Sequence, residues 1–325
     1  MTTEAIREDL TYAGVLEAAE AIAGVLPPTP AWSYPLLDQA AGRTVVLKHE
    51  NVQPTGAFKA RGGIALAATL DPATPGLVTA STGNHAQSVA LCARQRSIPA
   101  MVVMPVSAPS NKIDATTALG AEVVLHGPTM TEAVAHAREL ATARGWRYVD
   151  PADPAIIHGH ATLTLELLRT HPDLEEIYVP VGSGTSAAGA CLVRDELAPS
   201  CRVVAVQSAQ APAAFESWRG RAPATAPCTT RASGLATAAS FELPQRVLRE
   251  RLDDFLLVED DAIDDARVLL ATHAHTLAEG AGAAALAGVL AAPSSARKVA
   301  AVVSGGNADP RELADLADRS AYVRQ

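Results

Sequence analysis

The strongest chemical signal in the chain is a single lysine at a turn. Lys59 follows the Pro54-Thr55-Gly56 turn and Phe58, and it precedes Arg61-Gly62-Gly63. The turn residues break the chain just before the lysine, and the glycines after it permit close backbone approach. Apolar neighbours desolvate an amine, which lowers its pKa and makes it a nucleophile able to form a Schiff base. A surface lysine that merely opens a helix is the alternative interpretation, and the neighbouring segments favour the first.

Two polar, small-residue segments directly follow predicted strands and open predicted helices. They are Thr79–His85 (TASTGNH) and Val181–Gly189 (VGSGTSAAG). A helix N-terminus presents backbone N–H groups to an anion, and small residues let the backbone wrap a phosphate. The second segment lacks a P-loop lysine and the GxGxxG spacing, so we predict a single phosphate rather than a nucleotide. Ser, Thr and Asn are also the preferred helix caps, so either segment alone is weak support.

Two C-terminal segments add a hydroxyl and a carboxylate. Val302–Asn307 (VVSGGN) puts Ser304 at the carboxyl end of a buried strand, where ligands of open α/β sheets bind. Glu279, which precedes Gly280-Ala281-Gly282 at a helix start, would place one carboxylate near the same crevice. An acid favoured by the helix dipole is the alternative for Glu279.

Apolar strands that alternate with helices must position these segments. We predict strands at Arg43–Lys48, Gly76–Ala80, Ile98–Met104, Ala121–Leu125, Trp146–Val149, Ile177–Val181, Arg202–Gln207, Phe255–Val258 and Lys298–Ser304. We predict helices at Tyr12–Leu26, Arg61–Leu70, Asn84–Arg96, Asn111–Leu119, Thr131–Arg144, His158–Arg169, Ser186–Leu197, Asp260–Thr276 and Gly280–Ala291. Continuous apolar strands indicate parallel sheets covered on both faces. Two α/β sheets, the second assembled from both ends of the chain, fit this order, with Ala209–Pro227 as an irregular excursion.

Composition excludes several classes of protein. The chain has 325 residues, 48% of them hydrophobic and 19% charged, and a net charge of −9 with scattered basic residues, which argues against nucleic-acid binding. The polar start MTTEAIREDL predicts no signal peptide, and no apolar run is long enough to span a bilayer. The four cysteines lack CxxC spacing, so reduced thiols in a cytoplasmic protein are expected. From the short sequence after the last strand we expect no appended regulatory domain.

Taken together, the four segments resemble those of the pyridoxal-phosphate (PLP) enzymes of the tryptophan-synthase-β group, fold type II. The nearest members are the threonine/serine dehydratases (ammonia-lyases) and the serine racemases. The match spans nearly the whole chain, and its motifs come in the family order. The resemblance implies two domains, each a mostly parallel sheet with helices on both faces. A large PLP-binding domain would take residues 1–73 and 148–325, and a small domain with the substrate-carboxylate loop would take residues 74–147. A homodimer acting on a small amino acid is implied as well.

The resemblance also assigns roles to individual residues. AFKARGG looks like the family's S-F-K-x-R-G, which implies that Lys59 is the catalytic Schiff-base lysine, and SGGN looks like the segment whose serine meets the pyridine nitrogen. The implied substrate-binding residues are Ser81, Thr82, Gly83, Asn84 and His85. The implied cofactor-binding residues are Phe58, Lys59, Asn84, Gly182, Ser183, Gly184, Thr185, Ser186, Gly234, Glu279 and Ser304.

These residues predict β-elimination. A hydroxyl partner such as Ser304 does not hold the pyridine ring protonated as an aspartate would, and the resulting weaker electron sink suits elimination. Lys59 would take the α-proton, and an amino acid such as L-threonine or L-serine would give a 2-oxo acid and ammonia. Side-chain specificity is expected to come from pocket residues within Ala209–Leu235.

Three points bear on the alternatives. Thr82 stands where racemases carry a serine that acts as second acid/base and is implied as catalytic here, so a serine-type racemase or a β-replacement enzyme stays open. Relatives that bind a divalent cation use acids where this chain has Gln207-Ser208 and Ala211-Pro212-Ala213, so we predict no metal. From a different class, an NAD-binding or non-catalytic α/β protein would be colourless after purification.

Overall fold

The apolar strands form two separate sheets. A computed structural model describes residues 10–320. The prediction of no signal peptide rests on MTTEAIREDL, and all of that segment except Leu10 lies outside the described residues. The larger sheet has six strands in the order β1-β2-β10-β7-β8-β9, and the smaller has four in the order β5-β4-β3-β6. The prediction of two α/β sheets is confirmed.

The bounds of the elements follow the chain. The strands are β1 (Ala31–Trp32), β2 (Thr44–His49), β3 (Leu77–Ala80), β4 (Ala100–Met104), β5 (Glu122–Leu125), β6 (Arg147–Tyr148), β7 (Glu176–Pro180), β8 (Arg202–Ser208), β9 (Asp254–Val258) and β10 (Lys298–Val303). The helices are α1 (Tyr12–Ala23), α2 (Pro35–Ala41), α3 (Lys59–Thr69), α4 (Asn84–Arg96), α5 (Ser110–Ala118), α6 (Met130–Arg144), α7 (Pro154–Thr170), α8 (Thr185–Leu197), α9 (Ala213–Gly220), α10 (Glu242–Arg251), α11 (Asp260–His273), α12 (Gly280–Ala291) and α13 (Pro310–Ser320).

The larger sheet joins the two ends of the chain. β2 pairs in parallel with β10, with Thr44 opposite Lys298 and His49 opposite Val303. β10 pairs in parallel with β7 on its other side, while the short β1 lies antiparallel to β2 at the edge. The strand that leads to Lys59 and the strand that leads to Ser304 are therefore neighbours.

Helices cover both faces of the larger sheet. In β2, Val46 packs with α7 and α8 on one face, whereas Val45 and Leu47 pack with α11 and α12 on the other. Burial on both faces accounts for the unbroken apolar run Val45-Val46-Leu47 in β2, in place of an alternating pattern. Because aromatics make up only 4% of the chain, small residues fill much of this core, and α12 consists almost entirely of Ala and Gly.

Four helices depart from the sequence prediction. The helices α2, α10 and α13 were not predicted, and α9 lies within the stretch predicted to be irregular. α2 and α10 each contain a proline, which usually argues against a helix. In both helices the proline lies in the first turn, where the missing N–H costs little. In α9, Phe215 and Trp218 pack against Phe255 of β9, a tertiary contact that overrides the weak local pattern.

No helix formed by residues 10–320 combines the length and the apolarity that crossing a bilayer requires.

Candidate active site

The turn before Lys59 is hydrogen-bonded to the segment around Ser304. The Phe58 N–H donates to the Ser304 carbonyl at 3.0 Å, and the Gly306 N–H donates to the Gly56 carbonyl at 2.8 Å. Ala57 and Gly305 form an antiparallel bridge between these bonds. Two segments almost 250 positions apart thus line one crevice, as the pairing of β2 with β10 requires.

Lys59 begins α3 in a desolvated position. Part of its side chain remains accessible to water, but protein atoms surround the amine, which lies 4.8 Å from the centre of the Phe58 ring. Within residues 10–320 no carboxylate forms a salt bridge with this amine, and burial lowers the pKa of Lys59 to about 8. A substantial neutral fraction near pH 7 to 8 makes the amine a nucleophile and a base.

A buried ion network fixes the start of α3. The Arg61 guanidinium, fully buried, donates to Glu50 at 2.7 Å and to Glu166 of α7 at 2.7 Å, and Lys48 of β2 also donates to Glu166. Burial raises the pKa of Glu50, but the charge and hydrogen bonds of Arg61 outweigh it and hold that pKa below the ordinary value. The network ties α3 to β2 and α7 two residues after Lys59.

The predicted substrate-carboxylate loop lies between β3 and α4. The Gly83 N–H donates to the Ser81 hydroxyl at 3.2 Å, and α4 begins at Asn84. The hydroxyl of Ser88, in the next turn, donates to the Lys59 carbonyl at 2.6 Å and joins this loop to the lysine. Thr82 is partly exposed in the same loop, and no hydrogen bond in the described chain joins it to Lys59.

His85 is buried behind this loop as an uncharged ring. Its Nε2 lies 3.1 Å from the Thr79 hydroxyl, which itself donates to the Val149 carbonyl. Burial and the nearby Lys59 amine lower the pKa of His85 to about 3. Its Nδ1 has no hydrogen-bond partner within residues 10–320, so one ring nitrogen is left for a ligand.

An amide and carboxylate chain crosses the crevice from the small sheet to the large one. Asn84 donates to the buried Glu279 carboxylate at 2.6 Å, and Asn307 donates to the Asn84 side-chain oxygen at 2.8 Å. Lys112 of α5 donates to the Asn307 carbonyl at 2.6 Å. Burial raises the pKa of Glu279. The sequence predicted Asn84 and Glu279 but not the part played by Asn307 or Lys112.

The Gly/Ser loop forms a cup at the N-terminus of α8. Gly184 has φ +86°, a left-handed conformation that favours glycine, so the loop keeps its turn although Ser183 and Thr185 flank it. A Cβ at Gly182 would lie 2.7 Å from the carbonyl oxygen of the exposed Gly234, which places these two glycines side by side. The free N–H groups of the helix N-terminus and the hydroxyls of this cup suit a phosphate.

The side chain of Ser304 lies at the end of β10, as predicted. Its hydroxyl is buried and donates to the Ala281 carbonyl at 3.2 Å, which leaves its lone pairs free to accept. The Glu279 N–H donates to the Gly305 carbonyl at 3.1 Å and holds the start of α12 against this segment.

A sequence profile of the family described as "Pyridoxal-phosphate dependent enzyme" matches residues 22–305. The chain belongs to this family. Within the pyridoxal-phosphate dependent enzymes, it is 37% identical over 305 residues to an L-threonine ammonia-lyase of Thermotoga maritima, which covers 92% of this chain and 76% of that protein.

Two solved structures of pyridoxal-phosphate dependent enzymes share its fold. A threonine deaminase from T.th. superimposes with a TM-score of 0.88 and 35% identity, covering 92% of this chain and 99% of that one. Maize serine racemase superimposes with a TM-score of 0.90 and 30% identity, covering 97% and 99%. Fold type II, inferred above from motifs, is confirmed.

The crevice fits the cofactor that defines the pyridoxal-phosphate dependent enzymes. An aldehyde needs an amine that is partly neutral, and burial lowers the pKa of Lys59 accordingly. A phosphate needs a helix N-terminus with close backbone approach, and side chains at Gly182 or Gly234 would meet the opposite wall within 2.7 Å. Ser304 offers the pyridine ring a hydroxyl and no negative charge.

Proposed function

We propose that this enzyme is an ammonia-lyase that eliminates water from a hydroxy amino acid such as L-threonine or L-serine. The resulting unsaturated amine takes up water and hydrolyses to a 2-oxo acid and ammonia. The observation that carries the proposal is the hydrogen bonding of the Lys59 turn to the Ser304 segment, which puts a partly neutral amine and an uncharged hydroxyl in one crevice. The names of the similar ammonia-lyase and deaminase support the same reaction.

The residues around the crevice have different proposed roles, according to where they lie. Bound in the crevice, PLP supplies an electron sink for the charge left at the substrate α-carbon. Lys59 would hold the cofactor and, once released from it, would accept the α-proton, because burial lowers its pKa to about 8. The cup from Gly182 to Ser186 would bind the phosphate, with Gly234 beside it, and the Ser304 hydroxyl would turn its proton from the Ala281 carbonyl to the ring nitrogen.

The small-sheet side holds the substrate. The N–H groups and hydroxyls of residues 81–85, at the start of α4, bind the substrate carboxylate. Asn84, Glu279 and the Phe58 ring border the cofactor ring. Burial raises the pKa of Glu279, and Asn84 donates a hydrogen bond to its side chain.

A racemase of the same family is the second candidate. The hydroxyl of Thr82 lies in the carboxylate loop, where a second acid/base would face the α-carbon, and the similarity to maize serine racemase supports this alternative. Elimination remains favoured because the Thr82 methyl group crowds that face.

A substrate panel tests the proposal. Purified enzyme is incubated separately with L-threonine and L-serine while 2-oxo acid and the D-amino acid are both measured. We expect 2-oxo acid to form much faster than the D-enantiomer, and Thr82→Ala to retain elimination. Faster accumulation of the D-enantiomer would overturn the lyase assignment in favour of the racemase.

The visible absorption of the purified protein tests whether Lys59 carries the cofactor. We expect a yellow protein that bleaches with borohydride, and a colourless, inactive Lys59→Ala variant. Lys298→Ala is the matched control, since Lys298 pairs with Asp173 on the surface and should leave colour and turnover unchanged. A yellow, borohydride-sensitive Lys59→Ala protein would contradict the assignment.

We also propose the domain division and setting inferred from the sequence. The four strands of the smaller sheet lie within residues 74–147 except for Tyr148, the last residue of β6, which supports a small domain of residues 74–147 and a large domain of residues 1–73 and 148–325 to within one residue. The four cysteines form no disulfides, which supports a reducing compartment, the cytoplasm.

A homodimer is supported by one apolar surface. Trp32, Leu36, Val52 and Leu277 are each about half or more exposed, and we call them the Trp32 face. They lie in one region because the Asn51 side chain donates to the Leu277 carbonyl and Trp32 packs against His49. The ring of Tyr34, two residues before Leu36, contacts both His49 and His275. Clustered exposed apolar residues on a folded chain are typical of an interface.

A further inference from the structure

A buried histidine connects the phosphate cup to the lysine turn. His160 lies on α7 and is fully buried, with its ring centre 4.6 Å from that of Phe58. On its other side, its Nδ1 lies 2.9 Å from the Thr185 hydroxyl at the first residue of α8. One side chain thus touches both the residue before Lys59 and the cup.

Close helix packing leaves the ring no freedom. A Cβ at Gly62 of α3 would lie 2.6 Å from His160 Nε2, and a Cβ at Gly159 would lie 2.6 Å from the Arg61 carbonyl. A Cβ at Gly189 of α8 would lie 2.8 Å from Ala161. α7 is therefore wedged between the two helices whose N-termini carry the amine and the cup, and His160 keeps one orientation.

The hydrogen bonding assigns the proton on the ring. Burial holds the pKa of His160 well below its usual range, so the ring is neutral and carries one proton. Within the described chain Nε2 has no partner. A buried N–H without an acceptor is rarer than an unpaired lone pair, so the proton belongs on Nδ1 and is donated to Thr185.

The hydrogen bond from His160 determines where the Thr185 hydroxyl can direct its own proton. A hydroxyl that accepts from His160 must direct its own proton elsewhere, and its other neighbour is the Ser183 hydroxyl at 3.4 Å, inside the cup. We propose that His160 is a positioning residue that turns the Thr185 hydroxyl into a fixed donor to the cofactor phosphate. The inference rests on the proposed phosphate role of the cup and deepens it.

A double-mutant cycle tests the inference through cofactor binding. Full-length variants are freed of cofactor and titrated with PLP, and the 31P NMR shift of the bound phosphate is recorded. We expect His160→Leu and Thr185→Val each to weaken PLP binding by about tenfold, the effect of losing one hydrogen bond to a charged group. We expect the double variant to bind no more weakly than Thr185→Val alone, with the same altered 31P shift.

Two further variants separate hydrogen bonding from packing. His160→Asn keeps an N–H donor near the Nδ1 position and should bind PLP within about twofold of the parent chain. His158→Leu removes the other histidine of α7, which bonds to the Thr11 N–H away from the cup, and should leave binding unchanged. Independent, additive losses in the cycle, or His160→Asn as weak as His160→Leu, would overturn the inference.

The tautomer can be read without any substitution. In protein containing 15N-labelled histidine, we expect His160 to be neutral with its proton on Nδ1, and a proton on Nε2 would overturn the inference even if His160→Leu fails to fold. These readouts do not depend on turnover. A chain that shows the expected binding cycle but makes no 2-oxo acid refutes the proposed reaction and leaves the role of His160 intact.

Discussion

At the scale of the residue, the reactivity of Lys59 comes from its surroundings. No carboxylate in the described chain pairs with its amine, and burial lowers its pKa to about 8. The buried lysine and arginines elsewhere in the described chain, Lys48, Arg61, Arg194 and Arg267, each form a salt bridge with a carboxylate. A buried cation without a salt bridge marks the functional group.

The lowered pKa predicts how cofactor capture depends on pH. The neutral amine attacks the aldehyde, so the rate at which the cofactor-free chain regains its visible absorption should rise with pH through about 8 and level off above it. With an ordinary lysine, whose pKa is 10.5, the rate would keep rising up to that pH. Stopped-flow absorbance from about pH 6 to 10 measures this. A rate that still rises tenfold per pH unit above about pH 9 would contradict the burial of the amine.

Sequence reasoning found the residues with distinctive surroundings and missed those that act through distant contacts. Lys59, Ser304 and Asn84 stand in motifs with turn or glycine signals. His160 and Lys112 lie within helices, where a histidine or lysine has an ordinary structural explanation. Their partners, Thr185 and Asn307, are 25 and 195 positions away, a relation that no local pattern encodes.

At the scale of the element, small residues set the distances between the helices that carry the site. Gly63 of α3 faces Ser88 of α4, and a Cβ there would collide with the Ser88 backbone carbonyl. The same Ser88 donates to the Lys59 carbonyl. Any separation of α3 from α4 therefore moves the lysine.

We expect Gly63→Ala to lower both stability and turnover. The clash is with backbone, which yields at a cost, so the free energy of unfolding should fall by about 1 to 3 kcal/mol despite the higher helix propensity of alanine. Gly24→Ala, with nothing within 4 Å of the added methyl, is the matched control and should stay within about 0.5 kcal/mol. Urea unfolding and 2-oxo acid assays measure the two effects. Equal stability of the two variants would show that α3 and α4 can part freely.

The elements themselves were largely predictable. α4 and α12 were predicted with the bounds they have, because Gly83 and Glu279 mark the positions before their first residues and alanine-containing runs without proline follow. α9 and α10 were not, because their stability comes from Phe215, Trp218 and Leu248 packing on the larger sheet rather than from their own sequence. Local sequence patterns also could not predict the order in which strands pair within each sheet. That one sheet contains strands from both ends of the chain was predicted.

At the scale of the whole molecule, the Trp32 face predicts assembly. Burying a half-exposed tryptophan at an interface contributes strongly to affinity, so Trp32→Glu should weaken a dimer by about thirtyfold or more. Val106→Glu is the control, since Val106 is equally exposed but lies after β4 of the smaller sheet. Light scattering on size-exclusion chromatography measures the mass of each. A monomeric parent chain, or a Val106→Glu monomer beside a dimeric Trp32→Glu, would contradict this assignment.

The pairing of β2 with β10 has a consequence for biosynthesis. A ribosome makes the N-terminal part first, so Lys59 emerges long before the strand that must lie next to β2. Until residue 303 has left the exit tunnel, the nascent chain has no completed crevice in which to hold vitamin B6, so loading with the coenzyme must follow the synthesis of β10.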